Sequence, residues 1–224
     1  MNIKHHLDEA TMVSYAAGSM SQAMALVVAC HISVCPACRE RVNQSEAIGG
    51  MLLDSLDEAE ISSDALDQVL ACLDSEPELD LEVVSTPAPA QSRQSSDCIP
   101  RSLQDCIGNS FDDLDWKRIV PGVYFYELPY KTEKGGVSRL MRIAPGKAML
   151  PHTHNGNELT LILQGSFSDE MGRFTAGDVA DLDSEIEHQP LVDSDVDCIC
   201  LIATDAPLKF STLLGKLVQP MTGF

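Results

Sequence analysis

The sequence predicts an α+β protein in two domains, a small helical bundle followed by a small β-barrel. Three observations lead there. Through roughly the first 75 residues, apolar positions recur at intervals of three and four, the period of a helix face. From about residue 100 the texture changes to short apolar and β-branched runs broken by Gly and Pro, the pattern of strands. Between them residues 83–97 read VVSTPAPAQSRQSSD, a Pro/Ala/Ser/Gln mixture with no apolar period and the composition of a flexible linker. The expected division is 1–82, 83–99 and 100–224.

In the first part, Gly18 ends a short helix and Ser21 offers an N-cap for a second, which carries Met24, Leu26, Val27, Val28 and Ile32. Pro36 restarts the chain as a third helix through Val42, Ile48, Met51, Leu52 and Leu56. A fourth begins near Ser62 or Ser63 and carries Leu66, Val69, Leu70 and Leu73. Three or four such helices make a small bundle.

In the second part the runs IVPGVYFYELPY, GVSRLMRIAPG, ELTLILQG, FTAGDVADL and CICLIATDAP are strands of a small barrel or sandwich. The tail after residue 212, with Leu214, Leu217, Met221 and Phe224, is expected to pack. There is no internal repeat and no glycine-rich phosphate loop.

The 224 residues carry a formal charge of −19. Such a surface repels nucleic acid and anionic membranes, so direct binding to either is not expected, and a basic protein is the natural complement. No Lys or Arg lies between Val42 and Ser92, where twelve Asp and Glu fall. That stretch is read either as a solvated face or as a surface matched to a basic partner. The longest apolar run, residues 23–34, is interrupted by His31 and falls well short of the roughly 20 residues that span a bilayer. The N-terminus lacks a signal pattern, and a cytoplasmic location is expected.

Five of the six histidines fall into two metal-ligand patterns. His31, Cys35 and Cys38 form His-x3-Cys-x2-Cys; His31 and Cys35, four apart, share a helix face, and Cys38 follows Pro36 in the next helix. Two thiolates and two imidazoles suit tetrahedral zinc, with His6 as the fourth ligand and His5 as the alternative. A domain this small buries only a modest core, so a zinc staple would help it fold. The order His, then His-x3-Cys-x2-Cys, in a small helical domain resembles the zinc-binding anti-sigma domain. The resemblance covers residues 1–80 and implies a partner: an extracytoplasmic-function sigma factor, blocked from core RNA polymerase, most simply as a 1:1 complex.

His152, His154 and Glu158 share one strand parity, and His188 follows later. The run Gly146-x5-His152-x-His154-x3-Glu158-x6-Gly165 resembles the first cupin motif in full, which implies a jelly-roll barrel. The second motif departs from the pattern. Gly177 is followed by Asp183 where the family usually has Pro, by Glu185 where it has Gly, and by Val192 where Asn is expected beyond the ligand His188. This set could hold zinc or another divalent first-row metal.

Cys198 and Cys200 alternate in a strand and share a face. They are read as redox or accessory groups near the second metal, or as two small buried hydrophobes. A zinc anti-sigma domain followed by a cupin resembles the ChrR-type anti-sigma factors, a family that carries a cysteine pair at this place. The resemblance implies a non-enzymatic regulator that frees its sigma factor in response to singlet oxygen or related oxidants. The rival is a cupin metalloenzyme, dioxygenase-like, with a helical zinc-binding appendage.

Overall fold

The computed structural model describes residues 2–75, 99–130, 132, 135–153, 155–207 and 209–210. Residues 83–98 of the expected linker and the tail from 211 onward therefore lie outside the described residues.

Helix α1 (Glu9–Ala16) starts at Asp8, whose carboxylate accepts from Thr11 N at 2.6 Å, and the chain leaves it through Gly18 at φ 65°. Helix α2 (Gln22–Val34) is capped by Ser21 as its sequence indicates. Helix α3 (Pro36–Asp54) begins one residue later with Pro36 at its first position, and the chain bends by 118° at the break. Helix α4 (Ala65–Ser75) follows, and then α5 (Arg101–Ile107). The last departs from the sequence pattern, which indicates only strands after residue 100. Seven residues are too few to display a helical period.

The strands are β1 (Lys117–Val120), β2 (Val123–Glu127), β3 (Ser138–Ile143), β4 (His152–Thr153), β5 (Glu158–Gln164), β6 (Ser166–Asp169), β7 (Gly172–Thr175), β8 (Val179–Leu182), β9 (Leu191–Val192), β10 (Cys198–Thr204) and β11 (Lys209–Phe210). All pair antiparallel, in sheets ordered β1-β2-β3-β10-β5-β8, β7-β6-β9 and β11-β4. Gly165 turns the chain from β5 into β6 at φ 72°, where a Cβ would lie 2.8 Å from the Asp197 carbonyl oxygen. Only glycine fits.

The large sheet is buried on both faces, which is why β5 and β10 read as nearly continuous apolar runs. Met141, Ile162, Cys198 and Cys200 face the small sheet with Phe167, Phe174 and Val192. Leu140, Leu159, Leu161, Ile199, Leu201 and Ala203 face the helices and join one core with Leu7, Met24, Val27, Val28, Leu103 and Ile107. Helix α2 lies at the centre of that second core, with seven of its thirteen residues buried, so its apolar character extends around the helix rather than along one stripe. Each fully buried Leu or Val contributes about 1.5–3 kcal/mol. The seam between helices and sheet is thus a hydrophobic core and not a loose contact.

The apolar positions of the third and fourth helices depart from a bundle core. Only Cys38 and Val42 of α3 are buried, while Met51 is 73% exposed and Leu66 of α4 is 68% exposed. Ile48, Leu52, Leu56, Val69, Leu70 and Leu73 are exposed as well. Their spacing marks an amphipathic face correctly, and that face has no cover within the described residues. No single described helix is long and apolar enough to cross a membrane.

Two candidate metal centres

The first centre forms where the α2–α3 break meets the segment ahead of α1. His31 stands in the last turn of α2, Cys35 in the one-residue break, Cys38 in the first turn of α3, and His6 on the irregular segment before Asp8. His31 Nε2 lies 3.3 Å from Cys38 Sγ, and His6 Nδ1 lies 3.3 Å from Cys35 Sγ and 3.5 Å from Cys38 Sγ. A tetrahedral zinc with bonds of about 2.0–2.3 Å has ligand–ligand edges of about 3.3–3.8 Å. The four donor atoms fit that ion. His5, the alternative fourth ligand, points elsewhere: its ring stacks on Phe174 with centroids 4.1 Å apart, and its Nε2 donates to the Arg173 carbonyl at 3.1 Å.

His31, Cys35 and Cys38 are buried and His6 is exposed, so His6 is the solvent wall of the centre. Burial pulls the His31 imidazole down to about 4, despite its bond to Gly177, and so keeps the ring in the neutral, ligating form at neutral pH. His31 Nδ1 donates to the Gly177 carbonyl at 3.0 Å, which leaves Nε2 to face the sulfurs. Burial pushes the Cys38 thiol up to about 11, opposed by the Leu7 N–H. A divalent cation would reverse that shift by stabilising the thiolate.

The second centre lies inside the barrel. His152 of β4 and His188, in the loop before β9, face each other across an isolated antiparallel bridge, with Glu158 at the start of β5 beside them. His154 lies outside the described residues. His152 Nδ1 donates to the Leu150 carbonyl at 2.8 Å and His188 Nδ1 to the Asp169 carboxylate at 3.0 Å, which turns both Nε2 atoms, 3.1 Å apart, toward each other. Two imidazole nitrogens converging in this way, each ring held by a partner on its other nitrogen, form the arrangement of paired metal-ligating histidines. Glu158, also buried, supplies the negative charge and is steadied by the Thr160 hydroxyl at 3.0 Å. The donor set fits a divalent first-row ion.

Cys198 and Cys200 are buried on the same inner face of β10. The Cys200 thiol is held well above its usual range by its hydrogen bond to Cys198, then by burial, with Glu158 adding to the effect. Protonated thiols are weak nucleophiles. Cys200, close enough to the second centre to feel the Glu158 charge, is therefore held in a chemically quiet form.

Sequence reasoning missed Asp169 and the pair Gly177 and Asp178 as polar supports. Asp169 reads as a turn residue in SDEMGR and is in fact the acceptor that orients His188. Gly177 stands out as a cupin-motif glycine, with no sign that its carbonyl faces His31.

A family model described as the ChrR cupin-like domain matches residues 105–207. The chain is 42% identical over 220 residues, 98% of both chains, to the anti-sigma-E factor ChrR of Cereibacter sphaeroides. It is similar to a chain in the crystal structure of Rhodobacter sphaeroides SigE in complex with the anti-sigma ChrR, with a TM-score of 0.73 and 39% identity across 91% of this chain and all of that one.

Proposed function

Because the chain belongs to the ChrR family of anti-sigma factors, a family of regulators rather than enzymes, we propose that it binds and inhibits an extracytoplasmic-function sigma factor in the cytoplasm as a 1:1 complex. The observation that carries this reading is the set of apolar residues on α3 and on α4 that have no cover among the described residues. Ile48, Met51, Leu52, Leu66, Val69 and Leu73 stand exposed in a stretch of chain that bears acidic groups and no basic ones. Exposed apolar helix positions set among charges of one sign suit a protein interaction surface, and that sign suits a DNA-binding partner.

Within this reading, His6, His31, Cys35 and Cys38 hold zinc, which staples a helical module too small to stand alone. The bound ion would supply fixed tetrahedral geometry and thiolate stabilisation. His152, His154, Glu158 and His188 hold a second divalent metal in the barrel. Singlet oxygen or a related oxidant acting there, with Cys198 and Cys200 alongside, lowers the affinity for the sigma factor. Direct oxidation of Cys35 and Cys38 is the second route to the same end.

The test is complex formation between the full chain and each extracytoplasmic-function sigma factor of its source organism, read by size-exclusion chromatography with light scattering. A 1:1 complex is expected with one of them. Leu66→Asp combined with Val69→Asp should weaken it at least about tenfold, because charge is placed in a desolvated patch, while shifting stability by no more than about 0.5 kcal/mol, as both sites are exposed. The absence of a complex with every such sigma factor would refute the proposal.

A further inference from the structure

We infer that the barrel completes the outer shell of the N-terminal metal centre, with Asp178 as the residue that positions His6. This inference rests on the reading of His6, His31, Cys35 and Cys38 as a metal site. The two thiols are placed by the helical domain itself, through the α2–α3 break. The two imidazoles are not. His31 takes its orientation from the Gly177 carbonyl, 146 residues away in the chain. His6 lies on a segment with no helix or strand of its own, and the groups that hold this segment belong mostly to the barrel.

Asp178 is fully buried, and one carboxylate oxygen accepts from Lys4 N at 2.6 Å and His5 N at 2.9 Å. The other accepts from Thr175 N and Thr175 Oγ1, both at 2.8 Å, which fixes the carboxylate plane. On the far side of His6, the Asp8 N–H donates to Asp181 Oδ2 at 3.0 Å. The His5 carbonyl accepts from Val179 N at 3.4 Å, and the His5 ring is stacked on Phe174. Burial would raise the Asp178 carboxyl, but the donors from His5, Lys4 and Thr175 outweigh it and hold it below the usual carboxylate range. It is therefore an anionic clamp at neutral pH. Two adjacent residues at the entrance to β8 thus hold one ligand ring, His31, and the backbone just ahead of another, His6.

Partners that orient a metal ligand from the outer shell change metal affinity by about 10–100-fold when removed. By linkage, a metal held better when the domains are docked also holds the domains docked. Movement of β8 would then reach the zinc centre directly, since β8 pairs with β5 and places Leu182 opposite the second-centre ligand Glu158.

The test uses full-length protein loaded with cobalt(II), whose thiolate-to-cobalt charge-transfer band reports the N-terminal centre alone because the barrel centre has no sulfur ligand. The rate at which excess chelator bleaches that band is the readout. Asp178→Ala should bleach at least about tenfold faster than the parent and Asp178→Asn at an intermediate rate. Asp183→Ala, which removes an exposed carboxylate that, among the described residues, is bonded within its own turn, should match the parent. If Asp178→Ala does not fold, His5→Ala leaves the barrel sequence intact and should bleach several-fold faster. A parent-like rate in the Asp178→Ala or His5→Ala protein, or equal acceleration in Asp183→Ala, overturns the inference while leaving the metal site standing. A parent that never develops the band removes the metal site and the inference with it.

Discussion

The two centres are built from similar residues and supported in opposite ways. The barrel centre takes its outer shell from its own domain: the Leu150 carbonyl orients His152, Asp169 orients His188, and the Thr160 hydroxyl steadies Glu158. The N-terminal centre is held from the other domain, where the Gly177 carbonyl meets the His31 ring and Asp178 grips the backbone just ahead of His6. A self-contained centre can change state without unfolding its host, whereas a centre on a seam reports whether the seam is closed. This difference suits the first to sensing and the second to holding a partner-binding module in shape.

The strongest way to break the contrast is Cys38→Ser. It removes a buried thiol of the proposed zinc site, and because metal binding at a structural site is folding free energy, stability should fall by about 3 kcal/mol or more. Urea unfolding of metal-loaded protein checks this, and a metal assay should show the barrel centre still occupied. Equal loss of metal from both centres would show that the barrel centre is not self-contained.

Asp169→Asn acts on the other side of the contrast. It weakens the acceptor for His188 Nδ1 and should lower the affinity of the barrel for metal about 10–100-fold, measured by competition with a chelating dye. Inhibition of the sigma factor in the absence of oxidant should be unchanged. Lost inhibition would show that the barrel metal also holds the helical module in place.

A smaller effect is expected from Cys200→Ala, which trims a fully buried thiol from the barrel core at a cost of about 1–2 kcal/mol. If the cysteine pair takes part in sensing, release of the sigma factor by photosensitised singlet oxygen should slow; an unchanged rate assigns the pair to packing alone.

The smallest effect concerns Asp193, which accepts from Arg173, Ser166 and Ser168 and ties the small sheet to its neighbouring loop. The hydrogen bond from Arg173, with those of the two serines, holds its carboxyl down at about 2 against an ordinary 3.8. A depressed carboxyl stabilises the fold above the unfolded value and loses that contribution as pH falls through the folded one. Because Asp193 is exposed, solvent screens much of that contribution, so Asp193→Asn should cost no more than about 1 kcal/mol near neutrality, and the gap between the two proteins should close between pH 3.8 and about 2, as followed by thermal melts.

The two candidate clusters, which the fold brings together apart from His154 outside the described residues, were legible because part of each has local spacing. His31, Cys35 and Cys38 lie within two turns of chain, and the cupin motif runs continuously from Gly146 to Gly165. Barrel and helices were legible from period and texture. What could not be read was whatever depends on distant chain meeting. The Gly177 carbonyl and the Asp178 carboxylate meet the N-terminal segment only after β8 is in place, and no pattern in either segment records the other. The exposed face of α3 and α4 failed for a related reason. Its period states that the face is covered but not by what, so a bundle core and a partner surface look alike in sequence.

The most direct test of the central claim is run-off transcription by core RNA polymerase with the cognate sigma factor, titrated with the full chain. Zinc-loaded protein should abolish the transcript at one equivalent per sigma factor, and Cys38→Ser protein at the same concentration should leave most of it. Undiminished transcript at saturating, folded, zinc-loaded protein would contradict the account.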